Sequence, residues 1–137
     1  MAGYSQTPLV KKLGMKSGMK ISILNAPEDF WKEITDMPEV KSIEKPSKDM
    51  DFILYFADSK KEYKNNFSKL AKTLTSNGML WIGWPKKASK IPTDLNENII
   101  RDFGLANGLV DVKVCAITEK WSGLKFVIRV KDRVKKI

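Results

Sequence analysis

Apolar residues along the chain fall into short runs of two kinds, and their alternation predicts the architecture. Phe52-Ile53-Leu54-Tyr55-Phe56 and Met79-Leu80-Trp81-Ile82-Gly83-Trp84 have no polar position, the pattern of strands covered on both faces. Residues 20–24 form an earlier strand of similar length, and residues 40–44 a weaker one before a loop over 46–49. Between these runs the spacing becomes helical. Phe30, Ile34 and Met37 share one face after Pro27-Glu28-Asp29, which suits a first helical turn, and Pro38 ends that helix. Tyr63, Phe67, Leu70, Ala71 and Leu74 define a second helix, opened by the capping-box pattern Ser59-Lys60-Lys61-Glu62 and closed by Asn77-Gly78. Asp94, with Glu97 three residues on, caps a third helix whose core face is Ile99, Phe103 and Ala106, ending at Asn107-Gly108. Thr7-Pro8 opens a short N-terminal helix with Leu9, Val10 and Leu13 inward and Gly14 as its stop.

After residue 108 the pattern changes. Residues 112–117 and 124–130 are strands separated by a short connection, so they pair antiparallel. Leu124, Phe126, Ile128 and Val130 alternate with Lys125, Val127 and Arg129, and Trp121-Ser122-Gly123 falls in the connection, where Gly123 meets a backbone demand. Trp121 reads either as a lid over the core or as a partner contact. The predicted fold is a single three-layer α/β/α sandwich over residues 1–137, with a Rossmann-like, mostly parallel sheet ending in an antiparallel hairpin. Residues 131–137 form a basic tail expected to fray.

Composition narrows the chemistry. The 137 residues include no histidine and one cysteine, Cys115. That excludes Ser-His-Asp and Cys-His nucleophile pairs, an imidazole proton shuttle, an intramolecular disulfide and an ordinary structural zinc site; no metal is expected. No apolar run reaches the roughly 20 residues of a membrane helix. Leu9-Val10 is followed at once by Lys11-Lys12 rather than by a signal-peptide core. These features predict a cytoplasmic protein without a membrane partner.

The formal net charge of +9 favours anionic partners. Lysine outnumbers arginine, and a lysine ammonium is a point charge without the planar fork that makes arginine a specific phosphate reader. A solvated lysine surface and contact with nucleic acid are both open readings of that charge.

Open α/β sheets bind ligands at the carboxyl ends of their strands. That rule places Asn25 and Ala26 after the first strand, Glu44 after the second, Asp58 after the central strand, and Trp84, Lys86 and Lys87 after the next, on one rim. Trp84 offers a stacking face or caps the core, the lysines a charge for a phosphate or carboxylate, and Glu44 lies where a ribose-binding acid is expected. Thr93-Asp94 reads as a helix cap before a catalytic pair. The glycine-rich turn of a dinucleotide or methyl-donor site is missing: the first turn is Asn25-Ala26-Pro27, and no glycine occurs between Gly18 and Gly78. Lys113 and Cys115 share one strand face, so the lysine lowers the thiol pKa or the cysteine is simply a small buried residue.

The element order resembles class I methyltransferases, whose parallel sheet also ends in an antiparallel hairpin; residues 70–84 look like the helix and strand that follow the methyl-donor crevice. A second resemblance spans nearly the whole chain. Gly3-Tyr4-Ser5 with Thr7-Pro8-Leu9, Leu24-Asn25-Ala26-Pro27, Trp84-Pro85-Lys86-Lys87-Ala88-Ser89 with Thr93-Asp94, Gly108-Leu109-Val110-Asp111 with Lys113-Val114-Cys115-Ala116, and Trp121-Ser122-Gly123-Leu124-Lys125 look like the small bacterial domain-of-unknown-function 3052 family. The resemblance implies a small Rossmann-like cytoplasmic protein and no stated activity. The functional expectation is a non-catalytic binding module for a small anion or a protein partner. An S-adenosylmethionine- or nucleotide-dependent enzyme and a nucleic-acid binder are the alternatives, with Ser122 beside Trp121 as a secondary contact.

Overall fold

The computed structural model describes residues 7–133; the Gly3-Tyr4-Ser5 motif and the last residues of the basic tail lie outside them. Among the described residues the sheet has six strands in the order β2-β1-β3-β4-β6-β5. β1 (Lys20–Leu24), β2 (Lys41–Ser42), β3 (Met50–Phe56) and β4 (Leu74–Pro85) are mutually parallel. β6 (Trp121–Ile128) lies antiparallel between β4 and the edge strand β5 (Leu109–Ala116). The predicted α/β architecture is the observed one.

Side-chain alternation in β3 builds two cores. Ile53 and Tyr55 face α3 (Lys60–Ala71) and α4 (Glu97–Ala106), joining Tyr63, Phe67, Ile100 and Phe126. Phe52, Leu54 and Phe56 face α1 (Leu9–Leu13) and α2 (Glu28–Glu33), joining Leu13, Phe30, Trp81 and Trp121. Burying one such side chain fully stabilises the fold by about 1.5–3 kcal/mol, so a strand buried on both faces is anchored at every position. Two polar tips are buried with partners. The Trp81 indole donates to the Leu13 carbonyl at 2.8 Å, closing the end of α1, and the Tyr63 hydroxyl donates to the Ile100 carbonyl at 2.7 Å, joining α3 to α4.

Several boundaries differ from expectation, each for a local reason. α1 begins at Leu9, with Pro8 rather than Thr7 at the N-cap, and ends at Gly14 in the left-handed region as expected. α2 stops at Glu33, because Asp36 has φ +55° and Pro38 holds its predecessor extended; Met37 is exposed. β2 shrinks to Lys41–Ser42 at the sheet edge, where short charged strands resist further pairing. The Ser59 hydroxyl caps α3 by accepting the Glu62 N–H, but the helix ends at Ala71 and Asn77-Gly78 lies inside β4. There Leu74 pairs with Met50 and Met79 with Phe52, so β4 bulges between them, and a Cβ on Gly78 would sit 2.6 Å from the Met50 carbonyl oxygen.

α4 is capped by Asn96, which accepts the Ile99 N–H at 2.9 Å, and not by Asp94. Its buried face is Ile100 and Gly104, with Ile99 and Phe103 partly buried and Ala106 exposed. Gly104 turns that face toward the sheet, since a Cβ there would fall on the Phe126 ring. Trp121-Ser122-Gly123 belongs to β6, opposite Pro85, Trp84 and Gly83. Gly123 is demanded by packing rather than by a turn: its Cβ would lie 2.6 Å from Ile117 Cδ1. Trp121 is buried over the α2-side core. No helix among the described residues is long and apolar enough to cross a membrane.

Candidate functional site

The strand order reverses between β1 and β3, because β1 leads to β2 on one side while β3 and β4 extend the sheet on the other. Such a switch point is where a crevice opens in a parallel sheet. Its walls here are Asn25-Ala26-Pro27 after β1 and Ala57-Asp58-Ser59 after β3. Asn25 is exposed with φ +57°, a conformation Asn tolerates better than most residues. Ala26 packs against the α2-side core. Pro27, at the N-cap of α2, has no N–H to offer a ligand, and Glu28 and Asp29 fill the first turn with negative charge. The residues present do not fit a glycine cradle for the carboxylate or phosphate of a methyl donor or nucleotide. Glu44 is exposed beyond β2, and its backbone carbonyl accepts the Ser22 hydroxyl at 3.2 Å.

Asp58 is engaged on both sides. Its carboxyl neighbours that of Glu62, and this proximity is the main reason the Glu62 pKa lies above the ordinary carboxylate value. The Asp58 carbonyl accepts the Thr93 hydroxyl at 2.7 Å. Nearby, the buried Tyr55 hydroxyl accepts Asn66 Nδ2 at 3.0 Å, and burial raises its pKa above that of an ordinary phenol.

A cavity lies outside the switch point, beyond the end of β4. Its volume is about 560 Å³, and its lining includes Trp84, Lys87, Lys90, Ile91, Leu95 and Asn96. Trp84 lines it and is only 6% exposed, so the indole caps the core and leaves little free face for stacking. After Pro85 the chain turns through a 3-10 segment, Lys87–Ser89. The Ser89 hydroxyl donates to the Lys86 carbonyl at 2.6 Å and accepts the Ile91 N–H at 3.2 Å. Lys90 at φ +63° completes the turn.

The structure separates the two lysines of the Lys86-Lys87 pair. Lys87 lines the cavity, whereas Lys86 lies toward the opposite face, close enough to Cys115 to act on it electrostatically. Thr93 lines the cavity, and Asp94 accepts the Lys60 N–H at 2.6 Å. Both residues fasten the loop to the start of α3 instead of capping α4. Asn25, Ala26, Glu44 and Asp58 share the carboxyl-end rim but not the cavity, since β3 lies between β1 and β4 and each strand adds about 4.8 Å. Lys90, Ile91, Leu95 and Asn96 were missed by the sequence reading. Only Lys90, three residues beyond Lys87, carried a readable signal.

On the other face, Lys113 and Cys115 lie side by side as expected. Burial raises the thiol pKa above its ordinary value, and Lys12, Lys113 and Lys86 offset this only in part. Cys115 is therefore a half-buried packing residue. Ser122 is half-buried in β6, opposite Trp84 and Ala116. No group of His, Cys, Asp and Glu among the described residues is arranged to hold a metal ion.

No protein-family model matches the chain, and no curated protein matches it in sequence. Solved structures do match in fold. A SAM-dependent methyltransferase from Aquifex aeolicus superposes with a TM-score of 0.63 at 14% identity, covering 88% of each chain. A TehB-like SAM-dependent methyltransferase from Corynebacterium glutamicum gives 0.56 at 12% identity, covering 93% of this chain and 91% of that one. A magnesium protoporphyrin IX methyltransferase from Synechocystis PCC 6803, solved with bound SAM, gives 0.57 at 12% identity, covering 88% and 74%. The scaffold is methyltransferase-like, and at these identities the likeness is one of fold.

Proposed function

We propose that the protein is a non-catalytic binding module that takes a small anionic ligand with a flat apolar body into the cavity beyond β4. One observation carries this reading: the cavity combines Lys87 and Lys90 with Ile91, Leu95 and Trp84, and no carboxylate lines it. Apolar walls with a few polar groups at one side suit an amphipathic small molecule, and two ammoniums select an anion. Thr93 and Asp94 serve by anchoring the loop that carries the walls. Membership of the small bacterial domain-of-unknown-function 3052 family and a cytoplasmic setting belong to this proposal and rest on the ordered motifs and composition. A protein partner offering an acidic side chain to the same cavity is the related form of the reading.

The methyltransferase-like fold supports a second reading, an S-adenosylmethionine-dependent enzyme acting at the switch point, with Glu44 toward the ribose. The Asn25-Ala26-Pro27 turn weighs against it. Calorimetric titration with a panel of aromatic carboxylates, aromatic phosphates and S-adenosylmethionine separates the two. The binding-module reading predicts saturable binding of at least one aromatic anion, weakened about tenfold by the Lys87→Ala/Lys90→Ala double variant, as expected for two lost charge-assisted contacts. Binding of S-adenosylmethionine that is indifferent to this double variant would replace it with the enzyme reading.

A further inference from the structure

A second cationic surface lies on the α1 side of the sheet, opposite the helices α3 and α4. Lys113 of β5 stands directly opposite Lys125 of β6 in the ladder, a like-charge pairing that costs stability. The ammonium of Lys113 donates to the Lys12 carbonyl at 3.1 Å, and that of Lys12 donates to the Ala116 carbonyl at 3.1 Å. The two lysines clasp each other's segments, so neither charge is free to swing away. Lys125 Nζ reaches the end of α1, 3.8 Å from the position a Cβ on Gly14 would take. Lys113 and Lys16 act on Lys125, and Lys12, Lys113 and Lys86 act on Cys115 two residues along β5 from Lys113, so Lys113 joins the two sets.

No ion pair among the described residues offsets this charge. The ion pairs present join Lys32 to Glu28 and Arg101 to Glu97 and Asp111. Burial, then Lys113 and Lys16, hold the Lys125 pKa below the ordinary lysine value. Holding like charges together by backbone contacts is unfavourable for folding alone, and a bound polyanion would offset that cost.

We infer that Lys12, Lys16, Lys86, Lys113 and Lys125 form a binding surface for the phosphodiester backbone of a nucleic acid. The makeup of the face favours this partner over an acidic protein. Beneath the lysines, Leu9, Leu13, Ile117 and Trp121 are buried in the core, and the one large exposed apolar side chain on the neighbouring helix α2 is Trp31. Protein interfaces centre on apolar and aromatic contacts and are depleted in lysine. A phosphate backbone needs only point charges and gives affinity without sequence preference.

The test is fluorescence anisotropy with a labelled DNA duplex and a labelled RNA across a salt series, using the full chain. The expected result is affinity that falls linearly with salt on a double-logarithmic plot. Lys12→Ala/Lys113→Ala should weaken binding roughly tenfold or more and reduce the slope by about 2, one per lost phosphate contact. Lys86→Ala, which removes no side-chain hydrogen bond seen here, should reduce the slope by about 1 and guards against misfolding of the double variant. Lys61→Ala/Lys69→Ala on α3, a pair of exposed lysines elsewhere, should change little. Equal loss in that control pair would show general surface charge and overturn the inference. Undetectable binding, or polyglutamate or phosphatidylserine vesicles competing as well as nucleic acid at matched charge, would also overturn it.

Discussion

The Thr93 hydroxyl donates to the Asp58 carbonyl at 2.7 Å and accepts the Leu95 N–H at 3.1 Å. A single side chain thus fastens the carboxyl end of β3 to the wall of the cavity beyond β4. Asp94 repeats the tie one residue on, through the Lys60 N–H. The segment between β4 and α4 is held in shape by contacts with the α3 entrance, and the cavity depends on them.

Thr93→Val removes both hydrogen bonds while nearly preserving volume. The expected loss is about 1 kcal/mol, given that the site is partly solvated, and a fall in melting temperature of about 3–5 °C. Thermal unfolding checks it; a shift of under a degree would mean that Asp94 alone secures the loop.

Gly104→Ala tests the approach of α4 to β6. A Cβ at this position meets the buried Phe126 ring, which also packs edge-on against Phe67. Overpacking of this kind costs about 1–3 kcal/mol, although alanine is the better helix former by about 1 kcal/mol. Urea denaturation should show net destabilisation. A neutral or stabilising result would place Phe126 elsewhere.

The same close approach explains why part of the fold was legible in the sequence and part was not. The β1 boundaries, the Ser59 cap and the antiparallel β5–β6 pairing follow from local patterns and appear as expected. Asn77-Gly78 and Trp121-Ser122-Gly123 look locally like turns, yet both lie in strands. Gly78 answers to the Met50 carbonyl, far back in the chain, and Gly123 to the Ile117 side chain across the hairpin, contacts that exist only once the strands have paired. The phase of α4 was misread by one position for the same reason. At the site, Asn25, Ala26, Glu44 and Asp58 follow the carboxyl ends of their strands, but nothing local in the sequence signals the cavity. Ile91 and Leu95 become its walls only because Thr93 and Asp94 tie their segment back to α3.

Lys125→Met should stabilise the protein at neutral pH. Burial, then Lys113 and Lys16, lowers the folded-state pKa of Lys125, so the unfolded chain binds more protons between the lowered and the ordinary value. The cost is present in full below the lowered value, shrinks as pH rises through that interval and vanishes above it. Comparing urea midpoints at neutral pH and near pH 10 should show a gain of a few tenths to about 1 kcal/mol, narrowing at the higher pH. A gain that grows with pH would contradict the sign. The same variant should weaken nucleic-acid binding.

Cys115 should react slowly. Burial is the largest influence on its thiol and raises the pKa despite the three nearby lysines, leaving little thiolate at neutral pH. Labelling of the native protein with an aromatic disulfide reagent is expected to be about tenfold slower than labelling of the urea-unfolded chain. Equal or faster native labelling would make Lys113 an activator rather than a neighbour.

The central claim, that the ligand site lies beyond β4 and not at the switch point, is tested most directly by backbone amide chemical-shift mapping. The protein would be titrated with the tightest-binding aromatic anion and, separately, with S-adenosylmethionine. The account predicts that the aromatic anion shifts the amides of Trp84, Lys87, Lys90, Ile91, Leu95 and Asn96, and that Asn25, Ala26 and Glu44 stay still under both ligands. Saturable shifts centred on Asn25, Ala26 and Glu44, with Lys87 and Lys90 unmoved, would contradict it.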